Sequence, residues 1–236
     1  MQYPTISEYV KASQDASDNL DMSTEATEEE LKEAFVDEWG VKYSKDGRRL
    51  LKASRKLNGT CSIKEGVRII CDEAFYYCSS LRSLVLPDSV TSIGDGAFCG
   101  CRSLTDIVIP DSVTSIGDSA FEDCEFLRSL VIPDGITSIG NYAFADCTSL
   151  TDIVLPSSVT SIGESAFEGC ESLKSIVIPD GVTSIGNGAF YCCSSLRSVV
   201  IPDSVTSIGE STFAFCNFPN DLKQKLIFRF GEKIFG

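Results

Sequence analysis

Beyond residue 60 the apolar positions of the chain recur with a period of 23 residues. Phe75, Phe98, Phe121, Phe144, Phe167, Phe190 and Phe213 follow it without a slip, as do Pro87, Pro110, Pro133, Pro156, Pro179 and Pro202. Cys78, Cys101, Cys124, Cys147, Cys170, Cys193 and Cys216 form a third such column. Cys61, Ile63, Val67 and Ile70 fit the same register one period before Leu84, Leu86, Val90 and Ile93, so the array runs from about Cys61 to Cys216 with no insertion. A fixed period of this size means stacked supersecondary units, because one unit cannot bury its apolar face alone.

Each period predicts its own elements. In Leu81–Pro87, Leu84 and Leu86 alternate with Ser83 and Val85, which is the pattern of a short strand with one buried face. Pro87, Asp88 and Ser89 supply turn chemistry, with φ already fixed at the proline. Val90–Gly94 reads as a second extended piece, with Val90 and Ile93 inward and Gly94 allowing a bend. Asp95–Cys101 reads as a short helical turn with Ala97, Phe98 and Cys101 on one side. With strands about 4.8 Å apart, seven such coils make a rod or shallow arc roughly 35 Å long.

The string carried by Cys78, Leu81, Leu84, Leu86, Pro87, Val90, Ile93, Gly94, Ala97 and Phe98 resembles the BspA-like subclass of leucine-rich repeats. The slot after the last leucine that usually holds Asn or Cys is Ser89 here, and the cysteine precedes the first leucine instead, which fits the subclass. The resemblance implies a leucine-rich repeat solenoid. That fold is an α/β-type repeat, mostly β with short helical turns, in a curved right-handed array with a ligand-binding face. It also implies bacterial surface adhesins or interaction modules, many of them secreted.

Four segments follow. Residues 1–40 form an acidic leader, partly helical or loose, in which Thr27–Trp39 reads as one helix starting at a threonine cap. Residues 41–60 form an N-terminal cap, a hairpin with Tyr43 and Leu50–Leu51 on either side of a Lys-Asp-Gly turn. Residues 61–216 are the array. Residues 217–236 form a C-terminal capping helix with Leu222, Leu226, Ile227 and Phe230 on one face.

Charge adds to this picture. The net charge of −14 argues against nucleic acid, whose binding needs a basic surface, and against docking on anionic membranes. Residues 1–40 carry −9 and residues 41–60 carry +6, which suggests a local charge contact between leader and cap, with a solvated surface as the blander reading. No segment is apolar for long enough to insert in a membrane. The opening residues lack the basic and apolar regions of a secretory signal, so the sequence as written is expected in the cytoplasm; the family resemblance implies the cell surface.

The eleven cysteines invite a metal or disulfide reading. Zinc wants four converging ligands, and a row of cysteines with no histidine in the chain makes a poor tetrahedron. Bridging ladder neighbours in pairs would distort evenly spaced coils. The ladder is therefore read as structural: small buried side chains whose S–H donates weakly to a neighbouring carbonyl. Cys61 and Cys71 are read likewise, whereas Cys99 and Cys192, off the ladder, are expected to be exposed thiols. Without histidine the commonest general base is missing, and no phosphate-binding loop is present. Asp88, Asp111, Asp134, Asp180 and Asp203 share one turn position. Catalysis is not expected, nor any cofactor or metal.

The outward face of the strands is the candidate partner-binding surface. Its column of valines is Val85, Val108, Val131, Val154, Val177 and Val200. Beside it run Ser83, Asp106, Ser129, Asp152, Ser175 and Ser198, and then Arg82, Thr105, Arg128, Thr151, Lys174 and Arg197. An apolar stripe flanked by spaced charges is what a binding face looks like. Valine also simply suits a strand, and both readings stand at this point. The threonines Thr91, Thr114, Thr137, Thr160, Thr183 and Thr206 predict a hydroxyl ladder between coils. The function expected is a monomeric, non-catalytic module that binds a protein or glycan partner, with an adhesin-like role as one form of it. The alternatives are a regulatory domain of a larger enzyme and a structural spacer.

Overall fold

The computed structural model describes residues 23–236, so the earlier part of the acidic leader lies outside the described residues. The chain begins with helix α1 (Glu28–Glu33) and strands β1 (Phe35–Val36), β2 (Lys42–Tyr43) and β3 (Arg49–Lys52). The coils then contribute strands in pairs: β4 (Asn58–Ser62) and β5 (Ile69–Ile70), β6 (Ser80–Val85) and β7 (Ser92–Ile93), β8 (Asp106–Val108) and β9 (Ser115–Ile116). There follow β10 (Ser129–Val131) and β11 (Ser138–Ile139), β12 (Asp152–Val154) and β13 (Ser161–Ile162), β14 (Ser175–Val177) and β15 (Ser184–Ile185), β16 (Ser198–Val200) and β17 (Ser207–Ile208). Helix α2 (Asn220–Phe230) and a 3-10 turn (Glu232–Phe235) close the chain. This is a β-solenoid of about seven coils at the 23-residue spacing read from the sequence. Within each sheet equivalent strands pair parallel, Leu84 with Ile107 and Ile93 with Ile116, while β8 and β10, β12 and β14, and β9 and β11 are not paired.

One continuous core fills the interior. The seven phenylalanines of the column are fully buried and stack ring on ring, with centroids between 5.1 Å and 5.6 Å apart. Rings at that separation gain beyond the area they bury.

The segment between the second strand and the next coil is not helical. Gly96 and Gly100 have φ of 56° and 73°, and every later coil repeats these two left-handed positions, two residues before and two after its phenylalanine. Left-handed residues break an α-helix. They divide the N–H groups instead: Cys99 and Cys101 close local turns on Gly96 and Phe98, while Gly96, Phe98 and Gly100 donate outward to Asp118, Ala120 and Glu122 of the next coil. A helix would keep all of these bonds within the coil. The turn side thus acts as another ladder joining neighbours.

Gly94 is needed for proximity and not for φ. A Cβ there would overlap the Asp72 carboxylate, which accepts the backbone N–H of Asp95 at 2.8 Å. The same bond recurs from Asp118 to Asp95 and from Asn141 to Asp118. The threonine ladder forms among the described residues, with Thr91 Oγ1 donating to Arg68 O at 3.2 Å and Thr160 to Thr137 O at 3.0 Å, except for the rung from Thr137 to Thr114, where β9 and β11 are not paired either.

The ends imitate a missing coil. At the N-terminus Thr24 O accepts the N–H of Asp72, the place an aspartate fills elsewhere. Arg49, buried beneath α1, meets Glu30 at 3.2 Å and donates to Glu25 O at 2.7 Å, and Lys45 reaches Glu33 at 3.7 Å. These are the leader-to-cap contacts that the charge pattern suggests. The hairpin β2–β3 forms antiparallel. The predicted long helix is cut to six residues, with Thr27 and Glu30 forming its capping box. The chain then extends at Ala34, and β1 pairs with β2 where helix was expected. At the other end Lys233 O and Ile234 O accept the N–H groups of Ser211 and Phe213. Leu226 of α2 is buried, and Arg229 donates to Ile201 O and Pro202 O.

Candidate functional site

The first strands of the coils carry the candidate face. Alternation turns Leu84, Ile107, Leu130, Ile153, Ile176 and Val199 into the core and the valine column outward. Val85, Val108, Val131, Val154, Val177 and Val200 are all more than half exposed, from 54% at Val85 to 77% at Val108. Arg82, Arg128, Lys174 and Arg197 are exposed beside them, as are Asp106 and Asp152. Among the described residues Arg82, Arg128 and Lys174 enter no ion pair, and Arg197 donates to Asn217 O at 3.4 Å. Asp106 and Asp152 each accept only the hydroxyl of the preceding threonine, at 2.7 Å and 2.8 Å. The array holds seven basic residues, and four of them stand in this one column.

The sheet on this side is not continuous. It divides into β4–β6–β8, β10–β12 and β14–β16. At the joins Thr105 and Thr151 donate their N–H to Arg82 O and Arg128 O on the paired side. The unpaired joins open into shallow grooves. One of about 280 Å³ lies between Val108 and Val131 beside Asp106 and Ser129. The other, about 520 Å³, lies between Val154 and Val177 beside Asp152 and Ser175 and reaches Asp180. Sequence reasoning missed these grooves because it treated all strands as equivalent. The available signal was the alternation of Thr-Asp starts (Thr105-Asp106, Thr151-Asp152) with basic-Ser starts, a 46-residue pattern laid over the 23-residue one.

The cysteine ladder lies far from chemistry. Cys101 Sγ donates to Phe75 O at 3.2 Å, and Cys124, Cys147, Cys170, Cys193 and Cys216 repeat the bond to the phenylalanine 26 residues earlier. Cys78 donates to Ser54 O in the cap. Burial pushes these thiols up, to about 11 at Cys78, about 12 at Cys216 and well above the usual value at Cys124, Cys170 and Cys193. They are poor nucleophiles and poor ligands at neutral pH. Cys99 departs from expectation: it is 8% exposed, because its short side chain sits between the larger Tyr76 and Glu122 of the adjoining coils, and burial pushes it up to about 12. Cys192 is half-buried rather than exposed. Cys61 and Cys71 are buried.

The turn side is acidic. Asp146 is raised above the ordinary carboxylate range by burial and by Asp123 and Glu168 nearby, while Arg102 neutralises Asp123 and Glu125 at its edge. Among the described residues no group of three or more His, Cys, Asp or Glu side chains is arranged to hold a metal, and no helix is long and apolar enough to cross a membrane.

Comparison with known proteins agrees with this geometry. A crystal structure of a leucine-rich repeat protein of T. pallidum (TpLRR) is similar at 31% identity and a TM-score of 0.71, over 86% of this chain and 94% of that one. A leucine-rich repeat protein of Eubacterium ventriosum matches at 26% identity and a TM-score of 0.71, over 79% of this chain and 51% of that one. A leucine-rich cell surface protein of Faecalibacterium prausnitzii matches at 31% identity and a TM-score of 0.50, over 75% of this chain and 63% of that one. Among curated proteins there is no match. The family model for the BspA-type leucine-rich repeat region, in six copies, matches residues 54–170 and 114–235. The repeat is thus that of a known architecture, and the chain belongs to the BspA-type leucine-rich repeat family.

Proposed function

We propose that the chain is a non-catalytic interaction module that binds a protein or glycan partner through the exposed face of the first sheet. The observation that carries this reading is the valine stripe standing beside basic side chains that have no ion-pair partner among the described residues. Apolar surface left open next to unneutralised charge is available to a partner at little desolvation cost to the protein's own contacts. The cell surface description of the Faecalibacterium prausnitzii relative favours an adhesin-like setting, outside the cell.

The test compares binding of the wild-type chain to intact cells and to an immobilised glycan panel with that of two variants. Val131→Lys/Val154→Lys alters the stripe, and Glu122→Lys/Glu168→Lys alters the turn side. Loss of at least tenfold in the first variant alone supports the reading. Equal binding by all three, or equal loss in both variants, overturns it and leaves a structural spacer.

A further inference from the structure

The charged residues at the strand starts change sign over five coils, Arg82, Asp106, Arg128, Asp152 and Lys174, the basic ones standing one position before the acidic ones, and Arg197 of the next coil keeps the sign of Lys174. We propose that this face also recognises itself, two copies meeting antiparallel across the valine stripe about a two-fold axis between β8 and β10. The inference rests on the reading of the first sheet as the interaction face.

The symmetry argument is geometric. A two-fold axis lying in the interface and perpendicular to the array returns every column onto itself in reverse order, as an isologous contact requires. An axis passing through a strand would set Arg82 against Lys174 and Asp106 against Asp152, like against like. An axis between strands reverses the parity. Placed between β8 and β10, it sets Asp106 opposite Ser129 and Arg82 opposite Thr151 of the second copy, which leaves each acid one strand position, about 3.3 Å, from a base across the contact: Asp106 from Arg128 and Asp152 from Arg82 of the second copy. Each of these pairs occurs twice. Val108 then meets Val131 of the second copy, and Val85 meets Val154 of the second copy. All four charged groups are exposed and free of ion pairs among the described residues, so none has to give up an internal salt bridge.

Electrostatics selects this surface over the others. Each copy carries −14, so two copies repel over most of their surface. The four strands next to the axis carry Arg82, Asp106, Arg128 and Asp152, two basic and two acidic side chains, so this strip is locally neutral and escapes that repulsion. Area limits the affinity. Six strands at about 4.8 Å and three residues at about 3.3 Å give on the order of 300 Å² of strand face per copy, below the roughly 800 Å² per partner of a stable complex. The dimer is therefore weak, reversible and salt-sensitive, and it forms where the chain is concentrated.

Sedimentation velocity tests this with the full chain and two charge variants. Asp106→Lys/Asp152→Lys makes the charged strand starts uniformly positive, and Arg82→Glu/Arg128→Glu makes the first four of them uniformly negative. The reversals change the total from −14 to −10 in one and to −18 in the other, so the variants do not attract each other in general. All four positions are exposed, and unchanged circular dichroism and melting will show that the variants fold. The expected result is concentration-dependent dimers of wild type at low salt that dissociate at high salt. Each variant alone is expected to be monomeric, and an equimolar mixture to form one-to-one dimers at least tenfold tighter than wild type. A wild-type chain that stays monomeric up to its solubility limit at low salt overturns the inference, as does a mixture no more associated than its components. If wild type is monomeric but Val131→Lys/Val154→Lys still loses binding to cells or glycans, only self-recognition fails and the interaction face stands.

Discussion

A buried thiol illustrates how single residues hold this array. Phe98 O already accepts the N–H of Cys101, and the S–H of Cys124 occupies its second lone pair at 3.3 Å. A thiolate could not donate, and burial disfavours its charge, so the folded state holds the ladder thiols neutral. The consequence for pH has a definite sign. The folded pKa lies above the unfolded value of about 9, so the native chain retains protons that the unfolded chain releases. Stability is then full below about pH 8.5 and falls as pH rises above that, by up to about 1.4 kcal/mol per pH unit for each thiol. Urea unfolding midpoints are expected to be flat between about pH 7 and 8 and to drop between about pH 8.5 and 9.5. Cys147→Ser, which keeps a donor for Phe121 O, is expected to make the drop shallower. A midpoint unchanged up to pH 9.5 in wild type counts against this account. The donor role of the ladder was legible in the sequence because a column of cysteines with no other ligand type suits nothing else. The burial of Cys99 was not legible, since it depends on the size of the side chains one coil away.

A coil is the next scale, and its hydrogen bonds explain why the phrase Ile-Gly-Asp keeps returning. The glycine leaves room for the acidic side chain of the coil before, and that side chain accepts the N–H of the residue after the glycine. The rung is made by Asp72, Asp95, Asp118, Asn141 and Asn187. It is absent among the described residues at Glu164, whose longer side chain instead accepts the Tyr142 hydroxyl at 3.4 Å. Glu164→Asn is expected to add a bond to the N–H of Asn187 and to raise stability by about 0.5–1.5 kcal/mol in chemical denaturation. An unchanged denaturation midpoint in this variant would mean that the rung contributes nothing net. The strands, the proline turn and the threonine ladder were legible because alternation and φ restriction are local. The turn geometry was not. Its two left-handed positions are filled by Gly, Ser, Tyr, Asp, Cys, Glu and Phe in different coils, so no residue type marks them. What fixes φ there is the demand of the next coil for N–H donors, which lies outside any one period. The gaps in the first sheet also lie outside any one period, and the sequence marks them only by the Thr-Asp starts at Thr105 and Thr151.

Across the whole molecule stability is set by neighbours, because each coil touches only the coils beside it and the caps. The C-terminal cap covers the last ring with Phe218 and Phe235, at 5.4 Å and 6.3 Å from Phe213. At the N-terminus the buried Arg49–Glu30 pair fixes α1 over the first coil. Between the caps runs the phenylalanine stack, and a defect in it should act differently by position. Phe144 lies between Phe121 and Phe167 at 5.5 Å and 5.4 Å, so Phe144→Ala removes two ring contacts and opens a cavity costing about 3–5 kcal/mol. In a nearest-neighbour chain that loss falls on a central link, and the coils on its two sides should become separate folding units. Phe213→Ala loosens an end, where the cap alone frays and the remaining coils still unfold together. Hydrogen exchange followed through urea titration distinguishes the two. For Phe144→Ala the rungs before and after the coil of Phe144 should lose protection at different urea concentrations, while for Phe213→Ala they should move together. A single concerted transition in Phe144→Ala would show that coupling reaches past the adjacent coil, carried by the turn ladder, whose bonds from Phe121 to Ala143 and from Phe144 to Ala166 run unbroken past the missing ring.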